Sequence, residues 1–468
     1  MMPPSVEEWL PDGHLAWFVR DVVAELDLSV FFAEFRQDGR GGAVYDPSLM
    51  LAVLVYAYCV GDRSSRRIER RLVEDVAFRV LAANECPDHA TLARFRRRHE
   101  DAIAALFGQV LGLCAREGLV DAGLVAIDGT KMGANASAWS NRTRRQIAAE
   151  ILAEAEAADA AEDEQFGERR GDELPPRWAD RRDRRPRLRE ALRQLDADGS
   201  ADWESYQAER AAKEAALGRK LAGRKPKPEG RAGKERHANV TDPDSRMLRT
   251  GQRFVQGYNA QAAVTGDQLI VAAEVSNAAN DTTQFAPLLA ATAQNLAAAG
   301  DEVGVGVVVA DAGYWSTENA TLPSDATLLI ATVPATNGLP ADDPRVLARD
   351  AVLDRLDRGE LTIRAAATEM GVTATWASQL LTEHRKHGLN PAQVRAAMDA
   401  KLAEADNAAH YARRKITVEP VFGQIKTNRG YRQFQRRGLT AVNSEWKLIC
   451  ASHNLLKLWR HRPVPGPA

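Results

Sequence analysis

The chain has 468 residues and a formal charge of −2, from 62 Lys and Arg against 64 Asp and Glu, which excludes a polybasic protein that binds nucleic acid through total charge. Its 45% hydrophobic and 27% charged residues are those of a globular protein with ample core, and at roughly 150 residues per domain the length allows about three domains. Cys59, Cys86, Cys114 and Cys450 lie too far apart for a zinc knuckle or a redox pair, and the nine histidines are scattered.

In chain order, Met1–Glu8 has neither a basic nor an apolar leader, and the longest apolar run, Leu49–Val60, falls short of the roughly 20 residues that cross a bilayer. A cytoplasmic protein with no membrane partner is expected. Residues 1–118 read as a helical N-terminal domain with a DNA-binding role. Asp46-Pro47 sets a capping carboxylate before a proline at the first helical position, so Leu49–Val60 reads as a buried helix. Asp88 caps another helix, with Leu92, Phe95 and Ile103 on one face and Arg94, Arg97 and Arg98 elsewhere. That basic ridge is either a solvated helix face or a phosphate-binding one.

From about 119 the texture changes to strands. Leu124–Ile127 is a short apolar strand, Phe254–Val264 and Gln268–Val275 form a hairpin around Thr265-Gly266-Asp267, and Val303–Ala310 and Thr327–Val333 follow. A helix with Phe285, Leu288, Leu289 and Leu296 on one face, ended by Gly300, separates the hairpin from the later strands. The expected fold is α/β: an RNase H-like mixed sheet flanked by helices, interrupted by helical insertions and preceded by the all-α domain. Its core is drawn from 119–140, 237–336 and 411–460. Residues 141–236 form a charged helical insertion, carrying the run Arg181–Pro186 and the scattered aromatics Trp178 and Trp203. The second insertion, 337–410, holds a helix-turn-helix pattern: small Ala367, Gly371 four later at the turn, and Ala377 six beyond that. Its second helix would expose Thr375, Ser378 and Gln379, with Gln379 facing DNA; the plain alternative is a helical hairpin.

Three acids stand out. Asp128 ends the strand Val125-Ala126-Ile127, and Asp311 ends Val307-Val308-Val309-Ala310. A carboxylate at the mouth of a buried strand is costly unless paired or bound to a cation, although singly each also reads as a loop-start cap. The third, Glu419, lies in Tyr411–Leu439, where eight basic residues against one acid, 8 − 1, give +7. Lys426, seven residues on, shares its helix face if Pro420 sits near the helix start or is accommodated as a kink. The segment reads as a metal ligand among phosphate-binding side chains or, more plainly, as a solvated basic face.

The chain resembles the bacterial insertion-sequence transposases of the DDE type, with an InsH-like N-terminal domain. The resemblance rests on Asp88–Arg96, Ala126–Lys131, Thr241–Arg246, Gly257–Gln261, Ala310–Trp315 and Val418–Lys426 in this order. It implies that Asp128, Asp311 and Glu419 are catalytic and metal-binding, and that Lys426 is the lysine of a Tyr-Arg-Glu-Lys signature. Tyr411 and Arg414 keep that signature's first interval, but four residues rather than three separate Arg414 from Glu419. Arg414 or Lys415 therefore stands for the arginine, and Lys cannot make its bidentate contact. Arg429 adds a further DNA-binding side chain.

Carboxylate ligands select a hard cation, so Mg²⁺ is expected, with Mn²⁺ as the alternative, in two-metal phosphoryl transfer. The resemblance implies cleavage of transposon ends and joining of 3′ ends to target DNA, by a homodimer or higher oligomer assembled on double-stranded DNA. The alternatives are a nuclease of the same fold that does not join strands, and a DNA-binding regulator with an inactive core; acids at all three positions weigh against the regulator. No phosphate loop competes, since Gly233-Lys234 is followed by Glu235. Asp242 and Asp244 occupy a turn, as backbone caps or beside the site, and Trp315 is a core aromatic or a base-stacking one.

Overall fold

A computed structural model describes residues 6–33, 45–153, 185–217, 237–300, 304–332, 344–387 and 391–462. Trp178, most of the Arg181–Pro186 run and Gly233-Lys234-Glu235 lie outside them.

The N-terminal residues form α1 (Leu15–Glu25), α2 (Ser29–Phe32), α3 (Pro47–Cys59), α4 (Ser65–Glu74), α5 (Val76–Leu81), α6 (His89–Arg98) and α7 (Glu100–Arg116). Asp46 accepts from the Ser48 amide at 2.7 Å, Pro47 opens α3, and the helix is buried almost all round. Asp88 caps α6 through the Thr91 amide at 2.6 Å. The face expected to run from Leu92 to Ile103 is split between two helices. His99 leaves helical geometry, with its ring 4.7 Å from that of Phe95, and Ile103 belongs to α7. All three apolar residues are buried nonetheless, and Arg94, Arg97 and Arg98 are exposed.

The chain continues through β1 (Leu124–Gly133), β2 (Asn141–Thr143), α8 (144–153), α9 (Arg185–Leu217), β3 (His237–Asn239), β4 (Arg246–Thr250), β5 (Arg253–Thr265) and β6 (Ile270–Ser276). Then come α10 (Phe285–Ala298), β7 (Val307–Ala310), α11 (Thr317–Ala320), β8 (Thr327–Ile330), α12 (Pro344–Asp357), α13 (Ile363–Glu369), α14 (Ala374–His387) and α15 (Pro391–Ala403). Last are α16 (Ala405–Ala412), α17 (Arg414–Gly423) and α18 (Leu439–His461). Two units divide it, 1–132 with 259–468 and 133–258.

In the first unit the strands run in the order β6-β5-β1-β7-β8, the mixed α/β sheet expected from sequence. β5 and β6 are antiparallel, while β1, β7 and β8 are parallel. Alternate residues Val125 and Ile127, Val308 and Ala310, and Leu328 and Ile330 share one core with Phe285, Leu288 and Leu296 of α10. Helix α18 covers the β6 edge: Asn454 accepts from the Ile270 amide at 3.0 Å and donates to its carbonyl at 2.8 Å, and Asn443 accepts from Val275 at 2.9 Å. Side-chain amides thus take the place of a further strand. Helices α12, α13 and α14 bury Val352, Leu353, Leu356, Ala366 and Leu381 together.

The second unit pairs β2 with β3 and β4 with residues 253–257 of β5. Leu188, Ala191 and Leu195 on α9 pack with Ile147, Ala238 and Val240. Asp242 is buried and accepts from Tyr258 at 2.7 Å, the bonding of a turn carboxylate tied to its own unit. Among the described residues no helix is long and apolar enough to cross a membrane.

Candidate active site

Register alone brings two of the acids together. β1 and β7 pair in parallel through Ile127↔Ala310, so Asp128 and Asp311, each the next residue, leave neighbouring strands at their carboxyl ends. Open α/β sheets place ligands at such ends. Asp128 accepts from the Gly129 amide at 2.7 Å and pairs with the Arg414 guanidinium at 3.1 Å. Burial and then the charge of Asp311 push the Asp128 carboxyl up to about 6, against the opposing pull of the Gly129 amide and Arg414. Asp311 accepts from the Gly313 amide at 2.9 Å and caps the turn that follows.

A fourth carboxylate, Asp281, joins this region. An acid ahead of a helix reads as a cap, but the Asp281 side chain caps nothing; its Oδ1 accepts from Asn259 at 2.6 Å, Gln261 at 2.8 Å and Lys131 at 3.0 Å. Asn259 and Gln261 stand two apart on β5 and so face the same way, which gives the Gly257–Gln261 motif a physical reading. Tyr314 donates onward to Gln261, and burial together with Asp281, Asp128 and Asp311 raises its phenol far above the usual range. Gly129 is what fits beside this network. A Cβ there would lie 2.4 Å from Gln261 Nε2, 2.8 Å from Asp281 Oδ1 and 3.1 Å from Asn259 Oδ1. The signal for Asp281 was the pairing of that motif with an acid whose cap is missing, and the second half appears only in the fold.

The basic segment arrives on α17. Pro420 lies inside the helix, not at its start, and has no amide to give the Ile416 carbonyl; Gln268 Nε2 donates there instead at 3.1 Å. A π-helical stretch, Gln424–Asn428, follows. Arg414 is the residue turned to Asp128, while Lys415 is exposed. Burial raises the Tyr411 phenol above the usual range, against the pull of the Arg414 guanidinium. Lys426 Nζ donates to Thr130 Oγ1 at 2.5 Å and to the Lys131 carbonyl at 2.8 Å, at the far side of Asp128-Gly129. Burial, then Arg432 and Lys131, hold its ammonium below the usual range.

Not every expected residue converges. Arg429 points inward to Ser452 Oγ at 2.7 Å and lies over the Tyr431 ring. Glu419 is exposed on α17. Five residues at about 100° each turn it some 140° from Arg414, so the helix that aims Arg414 at Asp128 aims Glu419 elsewhere. Its two-turn alignment with Lys426 is likewise shifted by the slower-wound π stretch. Among the described residues no three His, Cys, Asp or Glu side chains are grouped to hold a metal ion. Gln379 is exposed on α14, and Trp315 packs against the sheet core.

The donor chemistry nonetheless suits a hard divalent cation in part. Two carboxylates crowd each other at one sheet end and already recruit a cationic side chain, and oxygen-only donors are those that Mg²⁺ or Mn²⁺ accept.

Residues 377–459 match the family described as Transposase DDE domain, and residues 4–98 match the one described as Transposase domain (DUF772). Glu419 and Lys426 lie within the first match; Asp128 and Asp311 lie outside both. No curated protein and no solved structure matches the chain.

Proposed function

We propose that this chain, a DDE transposase of the insertion-sequence kind by its two family matches, cleaves the ends of its element and joins the 3′ ends to target DNA. The observation that supports this reading is the β1–β7 register, which puts Asp128 and Asp311 at the carboxyl ends of neighbouring strands in a mixed sheet of order β6-β5-β1-β7-β8, the arrangement expected of an RNase H-like core.

In this reading Asp128 and Asp311 would hold the divalent cation, and Glu419 would complete the set if α17 turned on binding DNA. Bound there, Mg²⁺ or Mn²⁺ would lower the pKa of the attacking water or 3′-hydroxyl and offset charge on the leaving oxygen. Arg414 pairs with Asp128, and its guanidinium, at the same strand end, has the planar fork that would suit bidentate contact with a phosphate. Lys426, held beside Thr130, sets a positive charge next to the strand end, and Tyr411 would serve beside Arg414 as a DNA contact. Lys415, Arg94, Arg97 and Arg98 are exposed and serve as phosphate contacts, whereas Arg429 is spent on the interior. The helical N-terminal domain binds the element ends, and the protein works in the cytoplasm as a homodimer or higher oligomer on DNA.

The test uses duplexes carrying the inverted repeats that flank the coding region, incubated with purified protein and Mg²⁺ or Mn²⁺. Nicked ends that become joined to a target plasmid support a transposase; cleavage without joining leaves only a nuclease, and binding without cleavage leaves a regulator. Asp311→Asn should abolish both steps and keep repeat binding within about threefold, as expected for a ligand that enters only the chemistry.

A further inference from the structure

We infer that α13 and α14 form a DNA-reading unit separate from the catalytic centre, with the N-terminal half of α14 placed in the major groove and Thr375 and Gln379 facing base edges. This rests on the reading above that the chain acts on duplex DNA. The geometry is that of a tight two-helix corner. Thr362 caps α13 through the Ala365 amide at 3.2 Å, and Gly371, with φ +66°, ends it in a conformation that disfavours a side chain. The Val372 amide then returns to the Ala367 carbonyl at 2.9 Å, and Thr373 caps α14 through the Trp376 amide at 3.2 Å. Ala366, Ala367 and Ala377 are buried at the crossing, where nothing larger lets two helices approach so closely, and α12 closes the third side.

What this corner leaves outside differs from an ordinary hairpin surface. Thr375, Trp376 and Gln379 sit on one side of α14 at spacings of three and four, all exposed, Trp376 at 47%. Among the described residues the side chains of Thr375 and Gln379 have no hydrogen-bond partner. Leu361–Thr382 contains one acid, Glu369, which pairs with Arg355 at 2.7 Å. The amide end of a 14-residue helix adds partial positive charge at the same place. Gln presents the donor and acceptor pair that matches adenine N6 and N7, and the Thr methyl suits the thymine methyl. The first turns of the second helix are where such corners read bases.

Selection of bound sequences from a random duplex library, using the full chain, tests this. Wild type should return a motif in which Gln379→Ala loses preference at an adenine-bearing position, with about 5- to 150-fold weaker binding to the best duplex. Gln379→Arg, an exposed change that leaves the crossing untouched, should move that position toward guanine. An identical motif and affinity in both folded variants overturns the proposal while leaving the transposase reading standing. The proposal falls equally if the wild type binds duplexes without sequence preference, or if Trp376→Ala changes only the oligomeric state, which marks the surface as a protein interface. Failure to bind any duplex removes both readings.

Discussion

The acids carried by strands and the acid carried by a helix behave differently. Asp128 and Asp311 are placed by ladder hydrogen bonds on two buried strands, so their proximity is set by backbone pairing against their own repulsion. Glu419 depends on the roll of α17, which is aimed by Arg414 and by buried Thr417, Val418 and Val421, and it stays in solvent. A sheet holds like charges together because its backbone bonds outweigh a strained carboxylate; a helix with one partner satisfied turns its other groups away. The strand acids are therefore pre-set, whereas Glu419 would join them only if α17 turned.

That contrast can be broken in three ways. The largest effect is on chemistry, where it should vanish: Glu419→Gln and Asp128→Asn should each slow end cleavage on the order of 10³-fold, and a Glu419→Gln protein that still cleaves within tenfold would remove Glu419 from the active set. Next is the network that fixes the strand end. Gly129→Ala drives a methyl into Gln261, Asp281 and Asn259, and should cost about 2–3 kcal/mol by urea midpoint as well as activity, whereas glycine-to-alanine at Gly423, where an added Cβ meets no atom within 4 Å, should not.

The smallest effect separates the two acids by stability without metal. The folded protein holds the Asp128 carboxyl at about 6 against a usual 3.8, so the penalty for its charge is absent below the lower value and complete above the higher one. In EDTA at pH 8, Asp128→Asn should therefore gain about 1–3 kcal/mol, a gain that shrinks as pH falls through 6 toward 4. Glu419→Gln should stay within about 0.5 kcal/mol throughout, as for an exposed side chain. A loss of stability in Asp128→Asn at pH 8 would mean that the Arg414 pair outweighs burial and repulsion.

Much of this was legible residue by residue. The caps at Asp46 and Asp88, the β5–β6 hairpin around Gly266, the α10 face and the corner at Gly371 all follow from local chemistry, and each appears where its residues stand. Short elements escaped: three-residue β2 and β3 contain no periodicity to detect, and the break at His99 is made by packing against Phe31 and Phe95, not by a breaker residue. Asp281 escaped because its partners lie 20, 22 and 150 residues away. The inward turn of Arg429 escaped because a basic run reads alike whether its side chains face solvent or Ser452.

Chain-local patterns of hydrophobicity, capping and charge were thus enough to name the elements and to single out Asp128, Asp311 and Glu419 as the acids to watch, since those signals act over a few residues. Which acids meet, which arginine faces them and where a proline's missing bond is made up are long-range matters. They were settled by strand register and helix roll, which exist only once the sheet has formed.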